Sequence, residues 1–232
     1  MDALDALLNR VSCQRLIDPS PQGAEREQIF GAALRAPDHG HLRPWRFLVV
    51  EGDARHRLGA ALVAALRAAR PQADAQVLEK LAAAPLRAPL VIVLVARTVE
   101  HPKVPRIEQM LSLACAVQNM QLAAYALGFG SIWRTGDVTY VDPLATHLGL
   151  EAGDRVAGFL YLGTPQVPPR EPVALVLHEL QQRVDRLGVE VAGGILGCQR
   201  VGLVDEEHAV ARGVDRFAHL RRGLADVFSD KP

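Results

Sequence analysis

Two short polar clusters interrupt apolar stretches near the amino terminus of this 232-residue chain. The first is Arg10-Val11-Ser12-Cys13-Gln14-Arg15, where two guanidinium groups and a hydroxyl stand close together. Such groups offer charge-assisted hydrogen bonds suited to the oxygens of a phosphate monoester. The same spacing also reads as a solvated turn carrying ordinary surface arginines. The second cluster runs Arg35-Ala-Pro-Asp38-His39-Gly-His41-Leu-Arg43-Pro-Trp45. A loop of this kind presents amides and ionisable side chains to a flat ligand. Equally, it connects a helix to a strand, with Trp45 packed in the core. Asp38, His39 and His41 lack a second cluster with metal-ligand spacing, so the surface-loop reading is preferred to a metal site. There is no P-loop, no G-x-S-x-G elbow and no H-E-x-x-H. Gly128-Phe-Gly130 leads into Ser-Ile-Trp-Arg rather than completing a dinucleotide fingerprint.

The chain around these clusters is built to fold. Hydrophobic residues make up 49% of it, which excludes wholesale disorder. Lys and Arg number 26 against 26 Asp and Glu, so no net charge draws the molecule to nucleic acid or anionic membranes. Three separated cysteines form no disulfide framework. The longest apolar run, residues 90–96, is too short to span a bilayer. Asp2 and Asp5 precede Arg10, the wrong charge order for a secretory signal. These features point to a soluble, cytoplasmic globular protein.

Periodicity then supplies the elements that position the clusters. Leu4, Leu7 and Leu8 share a face of a helix over residues 2–9. Ser20-Pro21 starts a second helix, with Ile29, Ala32, Ala33 and Ala36 inward and Pro37 as its stop. Residues 45–50 read as a strand, 54–69 and 73–84 as helices, and 90–96 as a strand buried on both faces. Over residues 106–127 apolar side chains surround much of a long helix, which predicts a buried central helix ended by Gly128. Residues 130–134 are extended, and 143–148 form a short helix closed by Gly149. Residues 156–162 make another buried strand before a turn at Gly163-Thr164-Pro165. Without a regular βαβ rhythm, the fold class is α+β. Composition changes after Gln166-Val-Pro-Pro-Arg170, which divides the chain into residues 1–165 and a divergent tail, 166–232. Within that tail 175–187 and 207–224 have amphipathic helical patterns.

In this order the clusters resemble the NAD(P)H nitroreductase family of FMN flavoproteins, and within it the compact bacterial subgroup. The matching pieces are Leu7-Leu8-Asn9-Arg10-x-Ser12-x-x-Arg15-Leu16, Arg35-Ala-Pro-Asp-His39, Arg43-Pro-Trp45-x-Phe47 and Ala88-Pro89-Leu90. Lys103-Val-Pro-Arg106-x-Glu108-Gln109, Gly128-Phe-Gly-Ser-Ile-Trp-Arg134 and Gly158-Phe-Leu-Tyr-Leu-Gly-Thr-Pro165 follow. The resemblance covers residues 1 to 165. It implies a mixed, mainly antiparallel sheet flanked by helices, in a domain-swapped homodimer with FMN at the subunit interface. The basic turn, Arg10, Val11, Ser12 and Gln14, then belongs to the FMN site, with Arg10 and Ser12 at the phosphate. Arg35 and His39 reach the FMN of the opposite subunit, and Ser131, Ile132 and Trp133 lie along the flavin. Gln121, Leu122, Ala123, Ala124, Tyr125 and Ala126, at the end of the central helix, are associated with the nicotinamide nucleotide.

The implied activity is hydride transfer from NADH or NADPH through FMN to a small-molecule acceptor, nitroaromatic or quinone-like, with ping-pong kinetics. Such chemistry resides on the flavin and needs neither triad nor metal. Donors near the pyrimidine edge stabilise the reduced ring and raise its potential. Enone reduction, dehalogenation or non-catalytic flavin binding are alternative uses of the same fold. Three departures from the family pattern stand out. Val11 replaces a frequent second arginine, and His41 with Arg43 makes the second loop unusually basic. Beyond residue 165 the resemblance stops, which fits an appended helical extension or a shifted reading frame. Arg170 is the tail residue placed to complete a phosphate site.

Overall fold

Leu90–Ala96 has apolar side chains at every position, so it is stable only where both faces are covered. In the computed structural model, which describes residues 1–168, all seven of these residues are buried. They form β3, an inner strand of a sheet ordered β1-β5-β3-β2, with β4 also paired to β5. The other strands are β1 (Leu16–Ile17), β2 (Trp45–Glu51), β4 (Gly130–Arg134) and β5 (Arg155–Pro165). All ladders are antiparallel. The helices are α1 (Ala3–Asn9), α2 (Gly23–Ala33), α3 (Ala54–Ala69), α4 (Ala75–Ala83), α5 (Arg106–Ala126) and α6 (Pro143–His147). This is the expected α+β architecture. The helices expected at 175–187 and 207–224, and Arg170, lie outside the described residues.

The period of two along β3 divides the core into two layers. Val91, Val93 and Val95 pack with Leu58, Leu62 and Leu66 of α3, Leu78 of α4 and Leu144 of α6. Leu90, Ile92 and Leu94 face the other way, against Ile29 and Ala33 of α2 and Leu113, Val117, Met120 and Ala124 of α5. Trp45 joins this second layer, half-buried, which supports its packing role. α5 ends as its sequence requires. Gly128 adopts φ +87°; its N–H donates to Tyr125 and that of Phe129 to Ala124, both at 2.9 Å. These two bonds satisfy carbonyls the last turn would leave open.

Two boundaries and one burial pattern differ from the sequence reading. α2 starts at Gly23 rather than Pro21, because the Glu25 carboxylate accepts from the Gln22 N–H at 3.3 Å and fixes the first turn there. β5 does not turn after Leu162. It continues because β1 takes Thr164 and Pro165 as partners. α5 is not buried all round. Its inner side carries the core, but Ile107 and Leu111 remain 65% and 58% exposed because one sheet covers only one side of a helix.

Tight packing gathers where β1, β4 and the amino-terminal turn meet. A Cβ added at Gly130 would stand 2.7 Å from Leu16 and 3.0 Å from both Cys13 and Pro165. Gly130→Ala is therefore expected to destabilise the fold by about 1–3 kcal/mol through overpacking. Thermal unfolding checks this, and an unchanged midpoint would show that this junction is loose.

Candidate functional site

Arg10 terminates α1, with its N–H bonded to the Ala6 carbonyl at 3.1 Å. The chain then straightens and lies against β4. Ser12 and Ser131 form a parallel bridge, and the Cys13 N–H donates to the Ser131 carbonyl at 2.9 Å. Residues from opposite ends of the described chain, Arg10–Gln14 and Ser131–Trp133, are thereby brought side by side. One nitrogen of the Arg10 guanidinium, Nη1, is buried and has no hydrogen-bond partner among the described residues. A buried donor left unmatched is costly, so this nitrogen has the capacity to take an acceptor. Ser12 and Gln14 are exposed beside it, and Val11 is half-buried.

The end of α5 approaches the same place. Gln121, buried, donates from Nε2 to the buried Ser131 hydroxyl at 3.5 Å. In the turn that follows, Leu122, Ala123 and Tyr125 are half-buried and Ala126 is exposed, whereas Ala124 is fully buried in the core. Along β4, Ile132 packs toward α3 and α4, while Trp133 packs toward α5. The Trp133 indole donates to the Ala157 carbonyl at 3.3 Å. Gly158 lies beneath it at φ +141°, with no room for a Cβ against the indole nitrogen. Trp133 also lines a cavity of about 800 Å³ between the first half of α5 and residues 139–157.

Arg35 and His39 stand elsewhere in the chain. Arg35 is exposed just beyond α2, and His39 lies in the one-turn helix His39–His41. The His39 ring meets Glu108, near the start of α5, with Nδ1 2.7 Å from Oε2. The loop is further held by Asp38, whose carboxylate accepts from the Arg43 N–H at 2.7 Å. His41 and Arg43 adopt φ +53° and +47°, the left-handed region that residues with a Cβ seldom occupy. Strain of this kind collects at functional loops. Glu108 is 13 residues from Gln121, which at the rise of an α-helix places the two groups of side chains about 20 Å apart along α5.

Two residues of this neighbourhood escaped assignment from the sequence. Arg87, in the turn Ala84–Arg87, and Arg134, ending β4, line two cavities, one against α3 and α4 and the other beside Gln14, Arg15 and Leu16. Arg134 closes the segment Gly128–Arg134 that carries part of the resemblance, but nothing local announces Arg87. Among the described residues no three His, Cys, Asp or Glu side chains gather in a way that could hold a metal ion.

The sequence model of the nitroreductase family matches residues 7–164, and the chain belongs to that family. It is 47% identical over 167 residues to an Escherichia coli K12 protein named "Putative NAD(P)H nitroreductase YdjA", covering 72% of this chain and 90% of that one. A Haemophilus influenzae protein named "Putative NAD(P)H nitroreductase" is 40% identical over 165 residues, 71% of this chain and 89% of its own. Among solved structures, a nitroreductase-like protein from Bacillus cereus superposes with a TM-score of 0.64 at 24% identity, covering 84% of this chain and 97% of that one. A Desulfovibrio desulfuricans nitroreductase solved in complex with FMN gives 0.55 at 24% identity, covering 75% and 94%. These structures share the fold.

Within the site, burial pushes the Cys13 thiol above its ordinary pKa, and the Ser131 backbone bond and the Arg10 charge only partly offset this. The thiolate is the reactive form. Cys13 is therefore expected to resist a maleimide near neutral pH while the chain is folded, and to react once it is denatured. Peptide mapping reads this out, and rapid labelling of Cys13 in the folded protein would contradict the packing of the turn on β4.

Proposed function

We propose that this chain is a cytoplasmic, homodimeric, FMN-dependent oxidoreductase that passes hydride from NADH or NADPH to nitroaromatic or quinone-like acceptors by a ping-pong mechanism. The observation that carries the reading is the buried, unpartnered Arg10 Nη1 in a turn fixed against β4. A phosphate oxygen at that nitrogen supplies the missing acceptor, and the exposed Ser12 hydroxyl adds a second donor. FMN, when bound, supplies the two-electron chemistry. Arg10 and Ser12 hold its phosphate; the backbone of Ser131, Ile132 and Trp133 lines its ring. Gln121 orients the Ser131 hydroxyl, and the half-buried faces of Leu122, Ala123 and Tyr125 border the nucleotide's approach. Trp133, pinned by Ala157 and Gly158, limits water on one side of the site.

The geometry along α5 supports a shared site. His39 and Ser131 stand at opposite ends of one helix, so Arg35 and His39 of one chain complete the site of another when two α5 helices associate antiparallel. The exposed Ile107 and Leu111 of α5 and the exposed Leu4, Leu7 and Leu8 of α1, a helix that also packs on α5, supply apolar surface for that association. The described residues contain no helix long and apolar enough to cross a membrane.

The purified protein is expected to be yellow and to bleach on anaerobic addition of NADH or NADPH. Arg10→Ala should weaken FMN retention by about 1.5–3 kcal/mol, the worth of a hydrogen bond to a charged group, and unchanged flavin content after dialysis would remove Arg10 from the site. Arg35→Ala should act in trans, so mixing it with Arg10→Ala should restore one intact site per heterodimer. If mixtures recover no activity above that of the two parents, the shared-site arrangement fails.

A further inference from the structure

His39 and Glu108 are 69 residues apart, yet the His39 Nδ1 and the Glu108 Oε2 meet at 2.7 Å. Both backbones are held against one residue, Val104, which is only 2% exposed. On one side lies Gly40, at φ +75°, where an added Cβ would stand 3.3 Å from the Val104 Cγ2. On the other, the buried Gln109 side chain donates to the Val104 and Val99 carbonyls at 3.1 and 2.8 Å. Its Oε1 accepts from the Val99 N–H at 2.9 Å. The turn that carries His39 and the first turn of α5, which carries Glu108, are thus locked to the same segment. An ordinary surface ion pair lacks such a frame, and two long side chains must give up freedom to meet. The other carboxylate of the loop, Asp38, is engaged by the Arg43 N–H at 2.7 Å, which leaves Glu108 to hold the ring.

An ionised carboxylate only accepts hydrogen bonds, so the imidazole donates to Glu108 from Nδ1. The proton on Nδ1 leaves Nε2 as the nitrogen the ring can offer to a ligand. A carboxylate behind an imidazole sets its tautomer and its orientation together. The His39 side chain remains 58% exposed, so that offer is not blocked by the chain itself. We propose that Glu108 is a positioning residue for the flavin site, holding His39 in the Nδ1–H form and presenting Nε2 to the FMN of a second copy. This rests on the FMN reading above, in which His39 reaches the cofactor of the opposite subunit. Glu108 acts through the imidazole and does not touch the cofactor.

The test uses the full-length protein with Glu108→Ala, Glu108→Gln and His39→Ala, and the double variant Glu108→Ala/His39→Ala. FMN affinity is read by quenching of flavin fluorescence. The His39 tautomer is read by nitrogen-15 NMR, its signals assigned by their loss in His39→Ala. Glu108→Ala and His39→Ala are each expected to weaken FMN binding about tenfold, and the double variant no more than either alone, because residues acting as one unit are not additive. Glu108→Gln, whose amide oxygen still accepts from Nδ1, should recover most of the affinity. The parent should carry the His39 proton on Nδ1, and Glu108→Ala should lose that preference. Parental FMN affinity in Glu108→Ala overturns the proposal, as do additive losses in the double variant or a parental His39 protonated on Nε2 alone. If His39→Ala binds FMN as the parent does, the assignment of His39 falls and this inference with it. A loss in His39→Ala without one in Glu108→Ala rejects this inference alone.

Discussion

One backbone hydrogen bond, from the Cys13 N–H to the Ser131 carbonyl, organises the amino-terminal half of the candidate site. It lays the turn after α1 along β4, and the Ser12–Ser131 bridge continues the contact. The approach is possible because Gly130 has no side chain to hold Leu16, Cys13 and Pro165 apart. β5 extends to Pro165 for the same reason, since β1 follows the turn onto its edge. Everything attributed to Arg10, Ser12 and Gln14 depends on this seam. Without it, the arginine would be a solvated residue at the end of a two-turn helix.

α5 sets the second constraint. Its inner face is fixed by the core, so its ends act as fixed posts. One holds His39 through Glu108 and the other meets Ser131 through Gln121. A helix does not shorten, and a single chain therefore keeps these groups apart. The strained loop at His41 and Arg43 and the uncovered Ile107 and Leu111 lie toward the same end of that helix. In the proposed shared site, function is thus tied to how two helices meet as much as to any single side chain.

Much of this was legible in the sequence because the elements that matter are strongly patterned. The unbroken apolar run at 90–96 could be little other than a central strand, and Gly128 was a sound stop for α5. The start of α2 was misplaced because Ser20-Pro21 resembles a helix start, while the Gln22–Glu25 interaction that decides the matter is weaker in sequence. The apolar circumference of α5 was read as burial, yet among the described residues Ile107 and Leu111 stand exposed on its outer side. Arg10 and Ser12 were assigned through the family resemblance, since their spacing alone reads as readily as a solvated turn. Their pairing with Ser131 was not legible, because contacts over such separations leave no periodic trace. Arg87 was invisible for the same reason: it meets Arg134 of β4 and Tyr161 of β5 only in the fold.

The central claim is that the buried nitrogen of Arg10 awaits a phosphate. It is tested most directly by comparing equilibrium binding of FMN and riboflavin, which differ only in that group, to the parent protein and to Arg10→Ala. The account predicts that the parent binds FMN at least about tenfold tighter, the worth of one hydrogen bond to a charged group, and that the gap largely closes in Arg10→Ala. Equal affinity for the two flavins in the parent protein would contradict it.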